Sequence, residues 1–155
     1  FIMRHGQAQQ FGIEDSQRAL TPTGNNEVSS IAKWFKSTQI KVSHIFVSPY
    51  VRAQQTAMIM ASYLDCPPEV TTLDFITPMD SAKSFHDYLD GITGSQELGN
   101  VLVVSHMPLV SYLVSSMTND EHSPIFQTAG VAQIQYNTAN MSGELMSITA
   151  PSDLI

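Results

Sequence analysis

Val101-Leu102-Val103-Val104-Ser105-His106-Met107-Pro108 is the stretch whose reading decides the fold. Four successive apolar residues, three of them β-branched, suit a strand covered on both faces, as in the middle of a parallel sheet. The run stops at a serine and a histidine. A helix is then expected through Leu109, Tyr112, Leu113 and Met117. The same pattern of apolar run and polar end occurs twice upstream. Phe1-Ile2-Met3 leads into Arg4-His5-Gly6, and His44-Ile45-Phe46-Val47 leads into Ser48-Pro49-Tyr50-Val51-Arg52.

The segments between these strands carry helical signals. Thr21-Pro22 combines a capping side chain with a proline at the first helical position, and Val28, Ile31, Ala32 and Phe35 then recur at helical spacing, to about Ser37. Ser48-Pro49 repeats that start signal before Ala53, Thr56, Ala57, Met60 and Leu64. Residues 69–73 read as a strand, and residues 81–92 as a helix with Phe85, Leu89 and Ile92 on its apolar stripe. Residues 130–136 and 144–148 read as a closing hairpin joined around Ser142-Gly143. Residues 6–20 are expected to be a loop, and the residues from Ala150 a tail. Strands alternating with helices give an α/β class: a three-layer sandwich with a mainly parallel central sheet and helices on both faces. The 155 residues are expected to form one domain, 1–155, large enough to bury a core without metal or disulfide support.

Fourteen Asp and Glu against seven Lys and Arg give a formal net charge of -7, which argues against a nucleic-acid partner. No apolar run reaches the roughly 18–20 residues of a membrane helix, so no membrane association is expected. The single cysteine, Cys66, cannot form an internal disulfide, which fits a reducing, cytoplasmic compartment. It is read as a bystander.

The unusual residues collect at strand ends. Arg4 and His5, Ser48 and Arg52, and Ser105 and His106 all fall at the carboxyl ends of strands expected to be parallel, the edge where open α/β sheets bind ligands. Helix N-termini near Pro49 and Pro108 would add free amides suited to an anion. Taken singly, each residue has an ordinary explanation as a turn, a solvated arginine or a structural histidine. Together they place two histidines and two arginines at one edge of a chain with only seven Lys and Arg. Guanidinium groups grip phosphate oxygens in pairs, and neutral imidazole attacks phosphorus near neutral pH. The expected chemistry is therefore phosphoryl transfer. The Gly-rich loop of a nucleotide site, zinc-ligand spacing and a serine nucleophile elbow are all missing from the sequence.

These motifs resemble those of the histidine phosphatase superfamily, which includes the phosphoglycerate mutases. Arg4-His5-Gly6, Leu20-Thr21-x-x-Gly24, Ser48-Pro49-x-x-Arg52-Ala53-x-Gln55-Thr56 and Val101-Leu102-Val103-Val104-Ser105-His106 occur in family order. The short length, the opening Phe1-Ile2-Met3-Arg4-His5-Gly6, Arg18-x-Leu20-Thr21 and Ser105-His106-x-Pro108-Leu109-Val110 are most similar to the short bacterial phosphohistidine phosphatases of the SixA type. The resemblance implies a phosphoglycerate mutase-like fold. It implies that His5 is the covalent nucleophile and that Arg4, Arg18, Arg52 and His106 surround the phosphoryl group. No metal or other cofactor is expected, because the arginines supply the positive charge.

The general acid of many relatives, a Glu or Asp after the third strand, has no clear counterpart in Leu73-Asp74-Phe75-Ile76-Thr77-Pro78-Met79-Asp80. Asp74 and Asp80 are the substitutes on offer, and both read more naturally as turn residues. A phosphohistidine ring can leave as neutral imidazole and needs less help than an alkoxide. The expected substrate is thus a phosphohistidine on a phosphorelay or phosphocarrier protein, met by a monomer. The alternatives are a phosphomonoesterase acting on small phosphate esters and a non-catalytic module that binds phosphorylated partners.

Overall fold

The computed structural model describes residues 1–10 and 12–155; Phe11, within the expected loop 6–20, lies outside them. Six strands form one sheet: β1 (Ile2–Arg4), β2 (His44–Val47), β3 (Glu69–Thr72), β4 (Val101–Ser105), β5 (Val131–Asn137) and β6 (Ser142–Thr149). Their spatial order is β3-β2-β4-β1-β5-β6. The first four are parallel, with Ile2 opposite Val103, Ile45 opposite Leu102 and Ile45 opposite Val70. β5 runs antiparallel to β1, and β6 antiparallel to β5.

β4 lies between β2 and β1, which explains its unbroken apolar run, since both of its faces are covered. Helices α1 (Pro22–Ser37) and α2 (Val51–Tyr63) bury Val28, Ile31, Phe35, Ala53, Ala57 and Met60 against Met3, Ile45, Val47, Leu102 and Val104. On the other face, α3 (Ala82–Ser95) and α4 (Leu109–Met117) pack Phe85, Leu89, Leu109 and Leu113 against Ile2, Phe46 and Val103. β1, β2, β4 and β5 thus send alternate residues into two separate cores.

Four local expectations need correction. The helix after Ser48-Pro49 begins at Val51 with Tyr50 as its cap residue, and the Ser48 hydroxyl turns toward His106 instead of capping a helix. The hairpin reverses at residues 138–141, and Ser142-Gly143 already belongs to β6. Gly143 is small for a packing reason, because a Cβ there would lie 2.5 Å from Ile134 Cγ2. The expected tail contains a 3-10 turn, Pro151–Leu154, whose Leu154 packs on the α1/α2 core. The 6–20 loop also holds structure: a 3-10 turn at Asp15–Gln17 and a bridge between Ala8 and Leu20.

Among the described residues no helix is long and apolar enough to cross a membrane. Cys66 is exposed in the turn after α2.

Candidate functional site

The carboxyl ends of β1, β2 and β4 do bring the motif residues to one edge. Arg4 is the last residue of β1, and its amide donates to the Gly130 carbonyl at 3.0 Å. The His5 amide donates to Ser105 O at 3.0 Å, and the His5 carbonyl accepts from Ala129 N at 2.9 Å. The backbone of His5 is therefore clamped between β4 and the turn leading into β5.

The His5 ring is equally constrained. Its Nδ1 lies 2.7 Å from Gly6 O. A carbonyl only accepts, so Nδ1 must carry the hydrogen, which leaves a lone pair on Nε2. Arg52 Nε donates to that Nε2 at 3.2 Å. Gly6 N donates to Thr56 Oγ1 at 3.2 Å, and the same hydroxyl donates to Arg52 O at 2.8 Å, joining the β1 end to the first turn of α2. Gly6 and Gly24 face each other where α1 starts. A Cβ on Gly6 would lie 2.8 Å from Gly24 O, and one on Gly24 would lie 2.0 Å from Gln7 O. Only glycine allows this approach of backbone to backbone. Thr21 caps α1 as expected, its hydroxyl accepting from Gly24 N at 3.0 Å.

Arg52 is 3% exposed and His106 1%. The two imidazoles meet edge to face, with centroids 5.1 Å apart. Tyr50 packs its ring against His106 at 5.0 Å and lies under the Arg52 guanidinium at 5.1 Å. Arg4 Nη1 donates to Phe126 O at 2.8 Å. Two buried nitrogens, Arg4 Nε and His106 Nδ1, have no protein partner among the described residues. Buried polar atoms are normally paired, so these two are available to a bound ligand atom or water.

Charge follows from this geometry. Burial, reinforced by the cations of Arg52, Arg4 and Arg18 and opposed by the Gly6 carbonyl, holds His5 down to about 4. Burial, then His5 and the arginines, pushes His106 down to about 2. Both rings are neutral near pH 7 beside fixed guanidinium charge. That combination suits an oxyanion facing a neutral nucleophile.

The Arg18 side chain reaches the same place, bridged to Arg52 by Asp15, whose carboxylate lies within hydrogen-bonding distance of both guanidiniums. Asp80 accepts from Thr77 N at 2.8 Å and Thr77 Oγ1 at 2.6 Å, closing its own turn. Asp74 is exposed beside that turn. No cluster of His, Cys, Asp and Glu among the described residues has metal-site geometry. A broad groove at the opposite edge of the sheet, flanked by Ile40, Leu98, Tyr136 and Met146, holds none of these groups.

Sequence reasoning passed over Asp15, Tyr50 and Glu27. Glu27 accepts from Gln7 N and from Thr128 Oγ1, both at 2.8 Å, and so ties the loop after His5 to the turn before β5. The available signals were the i,i+3 spacing of Asp15 to Arg18 and the position of Tyr50 inside the second arginine motif.

Residues 1–74 match the Histidine phosphatase superfamily (branch 1). The phosphohistidine phosphatase SixA of Escherichia coli strain K12 is 36% identical over 134 residues, 86% of this chain and 83% of that protein. The chain belongs to the histidine phosphatase superfamily. Another member, the phosphohistidine phosphatase SixA homolog of Haemophilus influenzae, is 34% identical over 97% of this chain and 95% of its own. The fold agrees as closely: the solved structure of the protein histidine phosphatase SixA complexed with tungstate superposes with a TM-score of 0.93 at 32% identity, covering 99% of this chain and 97% of that one. The phosphoglycerate mutase-like architecture of the superfamily is therefore the architecture of this chain.

Proposed function

We propose that this chain is a phosphatase of protein-bound phosphohistidine that works through a covalent phospho-His5 intermediate. The observation that carries the reading is the His5 ring itself. It is buried and neutral, fixed through Nδ1–H to Gly6 O, and keeps its Nε2 lone pair beside Arg52. The similarity to phosphohistidine phosphatases over most of the chain supports the substrate class.

In the first step Nε2 of His5 forms a bond to phosphorus while the bond from phosphorus to the substrate nitrogen breaks in line. The departing imidazole takes up a proton from solvent. In the second step water attacks the phosphorus, the His5–phosphorus bond breaks, and inorganic phosphate leaves. Arg4, Arg18, Arg52 and His106 bind the peripheral oxygens, with Arg4 Nε and His106 Nδ1, unpaired among the described residues, available to them. Preorganised donors of this kind stabilise charge in the transition state without reorganising. No carboxyl group is assigned as acid. Asp80 is committed to Thr77, and an imidazole leaving group makes little demand for one.

We read the partner as a phosphorelay or phosphocarrier protein met in the cytoplasm by a monomeric single-domain enzyme. The test is phosphate release, without added metal, from a phosphohistidine-bearing phosphocarrier and separately from p-nitrophenyl phosphate. Rapid release from the carrier with little from the ester is expected. Faster turnover of the ester would move the substrate to phosphate esters.

A further inference from the structure

The loop between Gly6 and Leu20 puts into the pocket a carboxylate that the chemistry above does not use. Asp15 Oδ1 accepts from Arg18 Nε at 2.9 Å, and Asp15 Oδ2 accepts from Arg52 Nη2 at 3.3 Å. The Asp15 carbonyl accepts from Arg52 Nη1 at 2.6 Å. Since Arg52 Nε donates to His5 Nε2, the four residues form one string: Arg18, Asp15, Arg52, His5. The Asp15 side chain is 57% exposed while that of Arg52 is 3% exposed, so the carboxylate approaches the buried guanidinium from the solvent side. Burial pushes the Asp15 carboxyl up, but Arg52 and Arg18 outweigh it and hold the group below the usual carboxylate range. An acid held ionised in this way cannot serve as the proton donor.

We infer that Asp15 is the resident anion of the pocket. Its two oxygens offer the arginines what a phosphoryl group offers. They keep Arg18 and Arg52 aligned while the pocket is empty, yield those donors to an entering phosphoryl group, and weaken the hold on free phosphate once hydrolysis is complete. Asp15 is thus a positioning residue that also sets how readily product leaves. The inference rests on the functional reading above, in that the arginines are taken to bind phosphoryl oxygens. A covalently presented phosphoryl group is held by its carrier as well as by the arginines. Free phosphate has only the donors of the pocket, so competition from Asp15 falls mainly on the product.

The test compares the wild-type chain with Asp15→Asn and Asp15→Glu. Affinity for inorganic phosphate and for tungstate is read by calorimetry, and kcat, KM and product inhibition are read on a phosphohistidine carrier. A carboxylate about 5 Å from a bound anion in a partly solvated site corresponds to roughly tenfold in affinity. Asp15→Asn is expected to bind both oxyanions about tenfold more tightly, with lower KM, lower kcat and stronger inhibition by phosphate. Asp15→Glu is expected to stay near wild type. Unchanged or weaker oxyanion binding in Asp15→Asn, or an equal change in Asn and Glu, would overturn the inference and leave Asp15 a structural link only. Calorimetry needs no turnover, so a carrier that is not hydrolysed would count against the functional reading and not against this one.

Discussion

His106 Nε2 lies 2.7 Å from Ser48 Oγ, a hydrogen bond that ties the end of β4 to the end of β2. The Ser48 oxygen already accepts from Tyr50 N at 3.2 Å. With its own hydrogen donated to His106 Nε2, the serine would leave the ring hydrogen on Nδ1. Nδ1 is the buried nitrogen left without a protein partner among the described residues, and in that tautomer it is a donor available to a phosphoryl oxygen.

Ser48→Ala should therefore cost both order and rate. Loss of the partner to a buried ring nitrogen is expected to destabilise the fold by about 1–3 kcal/mol and to lower kcat by about tenfold. Denaturant melts and steady-state kinetics measure the two effects. Nitrogen-15 shifts of the His106 ring should report hydrogen on Nδ1 in the wild type, and hydrogen on Nε2 would refute the assignment.

His5→Ala should abolish turnover, with kcat falling by four or more orders of magnitude, while the chain still folds, as circular dichroism would show. A phosphoryl group trapped on the wild-type chain after rapid acid-free quenching should map to His5. An active His5→Ala protein would end the covalent mechanism.

Arg52 donates through Nε, Nη1 and Nη2 to three different acceptors, a pattern that lysine cannot copy. Arg52→Ala and Arg52→Lys should both raise KM and lower kcat by about 10²–10³ in kcat/KM. Recovery of most activity in the lysine variant would show that charge alone suffices.

Acid should weaken the fold through its two pocket histidines. An unfolded histidine titrates near 6.5, whereas burial and nearby arginines hold folded His5 down to about 4 and push His106 lower still. Below pH 6.5 the unfolded chain binds protons that the folded chain does not, so stability is full above that pH and is lost as pH falls from 6.5 toward 4. Denaturation midpoints from pH 7 to pH 4 should fall less steeply in His106→Gln than in the wild type. Equal slopes would remove the linkage.

Gly24→Ala should be among the most damaging single-methyl changes available, because its Cβ would lie 2.0 Å from the Gln7 carbonyl oxygen. Overpacking of about 1–3 kcal/mol is expected, together with reduced kcat as the His5-Gly6 turn is displaced. Wild-type activity in a stable Gly24→Ala protein would show that the loop can retreat without moving His5.

The parts that sequence reading reached are those with a repeating pattern or a chemical signature. The buried run 101–104 and the helical spacing of Val28, Ile31 and Phe35 are set by period, and the strand-end histidines and arginines by composition. What escaped was short or settled by tertiary contact. Three residues at Asp15–Gln17 and four at Pro151–Leu154 are too few to show a period. Ser48 looked like a cap because its neighbour is proline, yet its hydroxyl serves a histidine 58 positions away. Gly143 looked like a turn because glycine is common there, yet it is small to admit Ile134.

The strand order β3-β2-β4-β1-β5-β6 also fixes when a working pocket can exist during synthesis. β1 emerges first and carries the end that positions His5, but its neighbours are β4 and β5, about a hundred residues or more downstream. The first half of the chain can pair β2 with β3 and dock α1 on α2, but β1 has no partner there. Loop closure over such distances is slow and is not rewarded until both strands are present. The cluster around His5 is therefore assembled late, after β4 has been made, and a nascent chain interrupted before Val101 carries most of the motifs without the strand that brings them together.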